Sequence, residues 1–422
     1  YKRQDLRVNT LKAKREDVIA ELSEHKVTAE LMQFSPDGIR LTDKPGLIRW
    51  PVYQEGRIDI QDEGSQLIAR LVGAKRGEMV CDFCAGAGGK TLALGALMKS
   101  SGRLYAFDIN EKRLQGLTPR MRRAGLSNVH PVAIRDEKDN RIKRLRGKFD
   151  RVLVDAPCSG EGMFRRHPET RAEWSPESPA GCAKRQAEIL DRAAEMLRPG
   201  GRIVYSTCTM NRTENEDTVD AFLSRHADFS AEAFSLPGAD APDGMLTCYP
   251  HRMKGEGHFV ALLRKHGDAP CNWQKAPEKD APSKDALQAL RAFCPTANAN
   301  VMRTGSGKPG RSRDESVTLS CLPDRPACDG IQVVRCGLQL GTVQKKLFVP
   351  DHAWAMSIFP PDVPRVELTR EDARRYQAGE TLPADGKGWA LACCDGIPLG
   401  WGKISDGQMK NHYPKGLRRP LR

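Results

Sequence analysis

The chain has 422 residues, more than one hydrophobic core ordinarily organises, so about three domains are expected. Hydrophobic residues make up 39% and charged residues 29%, the balance of a soluble globular protein, and no apolar run is long enough to span a bilayer. A net charge of +13 suits a polyanionic partner, because basic side chains that neutralise phosphates release condensed counterions.

The chain opens Tyr1-Lys2-Arg3-Gln4-Asp5, with neither Met nor the apolar stretch of a secretory signal, as expected of a trimmed chain or a fragment. Its 13 cysteines are odd in number and scattered, which predicts free thiols in a reducing, cytoplasmic setting.

Residues 1–70 mix signals: Leu6 to Lys12 alternates like a strand and Arg15 to His25 has helical spacing, giving a small α+β domain. From 71 to 265 strands and helices alternate, which predicts an α/β domain with a doubly wound, Rossmann-like parallel sheet. Expected strands are Met79 to Phe83, Arg103 to Asp108, Phe149 to Asp155 and Arg202 to Cys208. Expected helices begin near Thr91 and Glu111 and run from Arg185 to Leu197, the last stopped by Pro199-Gly200-Gly201. Residues 266–315 are rich in Pro, Ala, Lys and Asp with little periodicity, and read as a linker or insertion. From 316 to 422 short β-like runs return, including Ile331 to Arg335 and Trp389 to Cys393, and imply small C-terminal modules.

The run Cys84-Ala85-Gly86-Ala87-Gly88-Gly89-Lys90 lies between an expected strand and helix, where glycines let backbone approach a ligand at the positive end of a helix. It fits neither the dinucleotide fingerprint nor the phosphate P-loop. The next strand ends in Asp108, the expected place for a carboxylate gripping ribose hydroxyls. Glycines plus an acid, with no pyrophosphate signature, favour an adenosyl ligand such as S-adenosyl-L-methionine.

Two thiols fall at strand ends, where open parallel sheets bind ligands. Cys158 follows Asp155-Ala156-Pro157, and Cys208 follows Ser206-Thr207. A thiolate beside a methyl donor serves one reaction well. Pyrimidine carbon-5 is too weak a nucleophile to take a methyl group, and thiolate addition at carbon-6 makes it strong enough. A carboxyl such as Asp155 near N3 would stabilise the adduct, and the base must be single-stranded or flipped. Cys81 and Cys84 make a lone C-x-x-C pair without a second pair at zinc spacing, so no metal is expected. His167, His251, His258 and His352 show no metal spacing and read as structural or surface residues.

At DFCAGAGGKT (82–91), FDIN (107–110), VDAPCSGEGMFRR (154–166), YSTCT (205–209) and RTENED (212–217) the chain resembles the RNA cytosine-5 methyltransferases of the Nop/Sun (Fmu) family, whose bacterial RsmB and RsmF types modify 16S rRNA. The resemblance implies a class I methyltransferase sheet, with Cys208 as nucleophile and Cys158 assisting product release. It implies S-adenosylmethionine contacts at Cys84 through Lys90, at Asp108 and at Asp155, with a further acid beside the adenine, either Asp136 or Asp139. In the family the loop usually reads CAAPGGKT, so Gly86 and Ala87 depart from it while keeping it small. Blocks up to DFCAGAGGKT look RsmB-like and those from GEGMFRR onward RsmF-like, as in a natural intermediate or a chimera.

The tail resembles the PUA-like RNA-binding module of RsmF-type enzymes. Trp401 to Arg422 holds Lys403, Lys410, Lys415, Arg418, Arg419 and Arg422 against one acid, Asp406, with Trp401 and Tyr413 as stacking candidates. Lys112 to Arg151 is a second basic stretch, with 13 Lys and Arg against four acids. The expected protein forms 5-methylcytosine in RNA, foremost 16S rRNA of the small ribosomal subunit or its precursor, with no membrane and no metal. The rivals are a tRNA methyltransferase, a catalytically silent RNA-binding assembly factor, and a DNA methyltransferase using Pro157-Cys158.

Overall fold

The alternation near the N-terminus becomes β1 (Gln4–Val8), which pairs antiparallel with β3 (Gly38–Leu41) and β4 (Ile58–Ile60), while β2 (Ala29–Leu31) extends the edge beside β3. Leu6, Val8, Ile39 and Leu41 pack with Val18 and Leu22 of α1 (Arg15–Glu24), giving this sheet its own core. A one-turn helix, α2 (Pro51–Gln54), precedes β4. Buried Arg40 bonds to Asp5 and, at 3.1 Å, to Glu63 of α3 (Glu63–Val72), which fastens the small sheet to the next domain.

The second sheet is built from β5 (Met79–Asp82), β6 (Arg103–Asp108), β7 (Val129–Ala133), β8 (Phe149–Asp155) and β9 (Leu197–Thr207), all parallel. Past β9 come β10 (Phe229–Ala231), the β11 (Phe234–Leu236) and β12 (Ala239–Ala241) hairpin, β13 (Met245–Cys248) and β14 (His258–Lys265). The spatial order is β10-β14-β9-β8-β5-β6-β7, with β14 antiparallel to β9 and β13 against β14. Helices α4 (Gly89–Leu97), α5 (Glu111–Ala124), α6 (Ser178–Met196) and α7 (Glu216–Arg225) cover the faces. Side chains alternate along each strand, so Met79, Cys81, Ile203 and Tyr205 feed one core while Val80 and Val204 feed the other. Strand order reverses between β5 and β8, which opens a crevice beyond their carboxyl ends.

The computed structural model describes residues 4–136, 139–253, 255–269, 282–297, 301–304, 317–321, 332–333, 338–344, 347–357 and 360–418. Two compact units emerge, Tyr1–Gln274 with Cys328–Arg335, and Lys275–Ala327 with Cys336–Arg422. Gln332–Val333 pairs with β7, so this part of the Ile331–Arg335 run extends the first unit's sheet and is not part of a C-terminal module. Helix α6 starts at Ser178, ahead of Arg185, because Pro179 sits in its first turn where a missing N–H costs nothing. Strand β9 runs through Pro199-Gly200-Gly201, held from Leu197 by its partner Phe149.

In the second unit, a helix over Lys284–Phe293 is capped by Ser283 and buries Ala286 and Leu290, within the stretch that reads as a linker. Ten residues between unpatterned flanks are too few for periodicity to stand out. Apart from 266–269, 282–297 and 301–304, that stretch lies outside the described residues. Four antiparallel strands follow in the order Val301–Thr304, Val317–Cys321, Leu338–Gln344, Leu347–Pro350, and then a five-stranded sheet carrying the helix Arg370–Ala378. Trp401 is 1% exposed and donates its indole N–H to the Asp351 carbonyl, so it is a core residue and no stacking surface. Lys403, Lys410, Lys415 and Arg418 are exposed, while Arg419 and Arg422 lie outside the described residues. Among the described residues no helix is long and apolar enough to cross a membrane.

Candidate active site

Strand β5 delivers the chain to the turn at 83–88, and the turn needs its glycines for backbone reasons. Gly86 has φ +54° and Gly88, which begins α4, has φ +83°, both in the left-handed region that side chains disfavour. A methyl group on Gly88 would collide with Leu117 of α5, whereas nothing lies within 4 Å of one placed on Gly86. Asp108 at the end of β6 is 7% exposed and braces the turn. Its carboxylate accepts the Gly86 N–H and the Asn110 N–H, each at 2.7 Å.

The turn borders a cavity of about 460 Å³, the size of a small-molecule site. Cys84 through Lys90, Asp108 and Asp155 all line it, as do apolar Phe83, Ile109, Ile134, Pro157 and Ile189. Ile109 is 62% exposed, an apolar side chain at the mouth with a free face for a planar ligand. Arg113, Arg120, Arg166 and Arg185 make its border basic. An adenosyl ligand fits this chemistry: a small glycine turn, a braced carboxylate for hydroxyls, and apolar faces for a purine. Asp136 is exposed and does not line the cavity, although Ile134 does, and Asp139 is buried with its carboxylate accepting the Arg135 N–H at 3.1 Å.

Beyond the donor cavity, β8 and β9 end side by side and bring the two thiols together. The Cys158 and Cys208 sulfurs lie 3.1 Å apart, and both thiols are free and half-buried. The Cys158 thiol, hydrogen-bonded to it, holds Cys208 below the ordinary thiol range against the effect of burial, and His258 and Lys90 add to the lowering. Cys158 is pushed well up, first by that same hydrogen bond and then by burial. Lys90 donates to Asp155 Oδ2 at 2.7 Å, and Ser206 donates to Oδ1 at 2.9 Å. Burial disfavours the Lys90 charge, but Asp155 and Asp62 outweigh it and keep the ammonium above its usual value.

Glu214, wholly buried, anchors the Cys158 loop by accepting the Ser159 N–H and hydroxyl, Gln186 and Asn211. The RTENED block therefore works behind the thiols. Asp82, absent from the sequence candidates, is buried under the cavity and accepts Thr91 at 2.6 Å, while its Oδ1 has no hydrogen-bond partner among the described residues. Burial pushes its carboxyl up to about 7. His258 is no surface residue, being 3% exposed and bonded to Asp62 at 2.9 Å. Cys81 is buried in the core, and Cys84 packs against that same core while lining the cavity. Among the described residues no cluster of three His, Cys, Asp or Glu could hold a metal.

Residues 69–264 match the family described as 16S rRNA methyltransferase RsmB/F. The chain is 35% identical to the probable ribosomal RNA small subunit methyltransferase B of Bacillus subtilis, over 63% of this chain and 60% of that protein's length. With the ribosomal RNA small subunit methyltransferase F of Cronobacter sakazakii it shares 30% identity over 99% of its own length and 90% of the relative's. The chain belongs to the RsmB/F family of 16S rRNA methyltransferases. Flanking segments match further parts of this family: a ferredoxin-like domain at 3–46, an RsmF first C-terminal domain at 293–358 and an RsmF PUA domain at 363–419. A crystal structure of a methyltransferase homologue from Pyrococcus horikoshii superposes with a TM-score of 0.56 at 29% identity, over 63% of this chain and 87% of that one. In this RsmB/F chain the glycine turn, the basic cavity border and the paired thiols all fall within the methyltransferase segment.

Proposed function

We propose that the chain methylates carbon-5 of a cytosine in RNA of the small ribosomal subunit, through a transient bond between the Cys208 sulfur and carbon-6 of the base. The observation that carries this reading is the pair of sulfurs 3.1 Å apart, one lowered and one raised in acidity range, beside the glycine-turn cavity. When bound, S-adenosylmethionine supplies an electrophilic sulfonium methyl group. Asp108 would hold its ribose hydroxyls, Ile109 and Ile134 its purine, and the 84–90 turn its amino-acid end; Asp136 is not in this set.

The chain's own residues do the rest. The Cys208 thiolate adds to carbon-6, and the ring's electron pair moves to carbon-5, which takes the methyl group. Asp155, charge-balanced by Lys90, is assigned to N3 and the exocyclic amine, where a fixed ion pair meets charge built up on the ring. Loss of the carbon-5 proton then returns the carbon–sulfur electron pair to Cys208, and Cys158 is assigned to that release. The target base reaches the site only out of its stack. The arginine border and the exposed Lys403, Lys410, Lys415 and Arg418 of the second unit supply phosphate contacts.

The test uses radiolabelled donor with small subunits or their precursors and, in parallel, with bulk tRNA. Label is expected in 5-methylcytosine. Cys208→Ala abolishes it, and Cys158→Ala accumulates a covalent protein–RNA complex that survives denaturant. Normal methylation by Cys208→Ala refutes the mechanism, and label confined to tRNA refutes the substrate.

A further inference from the structure

His258 opens β14, the strand that runs antiparallel beside β9. The last paired residues of the two strands are Phe259 and Thr207, so one step further the register brings His258 abreast of Cys208. Several features fix the imidazole there. Its Nε2 is 2.9 Å from Asp62, whose carboxylate also caps α3 through the Ser65 N–H at 3.0 Å. Its ring lies against Gly64 of α3, where a methyl group would collide with it. The preceding residue, Gly257, packs backbone to backbone on Gly162, and the Gly162 N–H donates to the Cys208 carbonyl at 2.9 Å. The ring's other nitrogen, Nδ1, is buried and has no hydrogen-bond partner among the described residues.

We propose that Asp62 and His258 form a positioning pair for the nucleophile: an imidazolium at the start of the neighbouring strand, anchored by the carboxylate that caps α3 and placed to keep the Cys208 sulfur anionic. This rests on the reading of Cys208 as the nucleophile. The thiolate and not the thiol is the nucleophile, so a resting protein that already holds a fraction of thiolate is ready when the base arrives. Cys158 supplies a hydrogen bond for it, and a cation in a poorly solvated pocket adds the compensating charge.

The charges facing His258 give the sign. From α3 comes Asp62, from α4 Lys90, from β9 Cys208, and from β13 Cys248, whose thiol burial pushes to about 12 and so stays neutral. Burial works against the imidazolium, Asp62 more than offsets it, and Lys90 opposes, leaving the ring protonated above its ordinary range. Asp62 is held correspondingly below the carboxylate range, with His258 and Lys90 outweighing burial. Glu256, two residues earlier, is occupied by Arg165 at 3.3 Å.

The experiment reads the thiol and needs no turnover. Full-length protein is alkylated with iodoacetamide across pH, and the Cys208 peptide is quantified by mass spectrometry, with the Cys84 peptide as internal control. His258→Phe is expected to raise the Cys208 midpoint by about one pH unit, roughly tenfold less thiolate at neutral pH, with the Cys84 curve unmoved. His258→Gln keeps a hydrogen bond to Asp62 but no charge, and carries the same expectation should the Phe variant fail to fold. Asp62→Asn, which keeps the cap, is expected to give a smaller shift in the same direction. A folded His258 variant whose Cys208 midpoint stays where it was overturns the proposal. Methylation by Cys208→Ala would instead overturn the nucleophile assignment, and it would leave these alkylation curves unchanged.

Discussion

Gly88→Ala tests whether the glycine turn is needed by the backbone or by the ligand, with Gly86→Ala as its partner. At Gly88 the backbone sits at φ +83°, where a side chain costs about 1–2 kcal/mol. The added methyl also collides with Leu117, a fully buried side chain of α5, and overpacking of that kind costs about 1–3 kcal/mol more. The sum, about 2–5 kcal/mol, corresponds to a fall in melting temperature on the order of 5–15 °C for a unit of this size. At Gly86 the same methyl meets nothing within 4 Å, so only the backbone cost remains, about 1 kcal/mol and a few degrees. Differential scanning calorimetry of the full chain measures both, and the transition that rises when donor is added identifies the first unit. Should Gly88→Ala melt no lower than Gly86→Ala, the packing of the turn on α5 is not what requires glycine there.

Two further outcomes follow from burial. Asp82 folds with its carboxyl raised from 3.8 to about 7, so the folded chain holds a proton there that the unfolded chain has lost. Its contribution is complete below the ordinary carboxylate range and is lost as pH rises through about 7. Asp82→Asn cannot titrate and can still accept from Thr91; urea unfolding should show wild type losing stability relative to it by roughly 1.4 kcal/mol per pH unit between pH 5 and about 7 and levelling off above that, and parallel curves would refute this. In the second unit, Trp401→Ala empties a core position at a cost of about 3–5 kcal/mol. Trp389→Ala removes a half-buried ring that packs on Trp401, so it should lower melting less than Trp401→Ala, and it should weaken RNA binding about tenfold by filter binding, because its ring sits with the exposed Lys403 at 5.7 Å and His412 at 4.5 Å. Equal melting of the two variants would sink the distinction.

Strands buried on both faces announce themselves, which is why Arg103–Asp108 and Phe149–Asp155 were readable to the residue. That Cys158 and Cys208 would meet was readable too, because each lies within three residues of the end of such a strand and adjacent parallel strands end together. His258 was not. Its partner in space is 50 residues away, and only the reversed direction of β14 brings the start of that strand to the end of β9. The spacing rules that dismissed it as a metal ligand carry no information about an antiparallel neighbour. Trp401 failed for a different reason: a basic, aromatic tail looks like a stacking surface until one knows that the strand Ile397–Ser405 feeds two cores, with Ile404 in one and Trp401 in the other. Counting placed an acid at Asp136 beside the adenine, but counting follows the chain, and at this point it is Ile134 that reaches the cavity.

On the proposed mechanism the sulfur pair would also act as a latch. While Cys208 is a free anion it draws on the Cys158 hydrogen, and that demand is the largest reason Cys158 resists ionising. Once Cys208 is tied to carbon its sulfur is a thioether, a poor acceptor, and the demand ends. Cys158 would then be free to lose its proton to solvent, and the thiolate left behind could take the proton from carbon-5, so the thiol that guards the waiting nucleophile would become available for undoing the bond only after that bond exists.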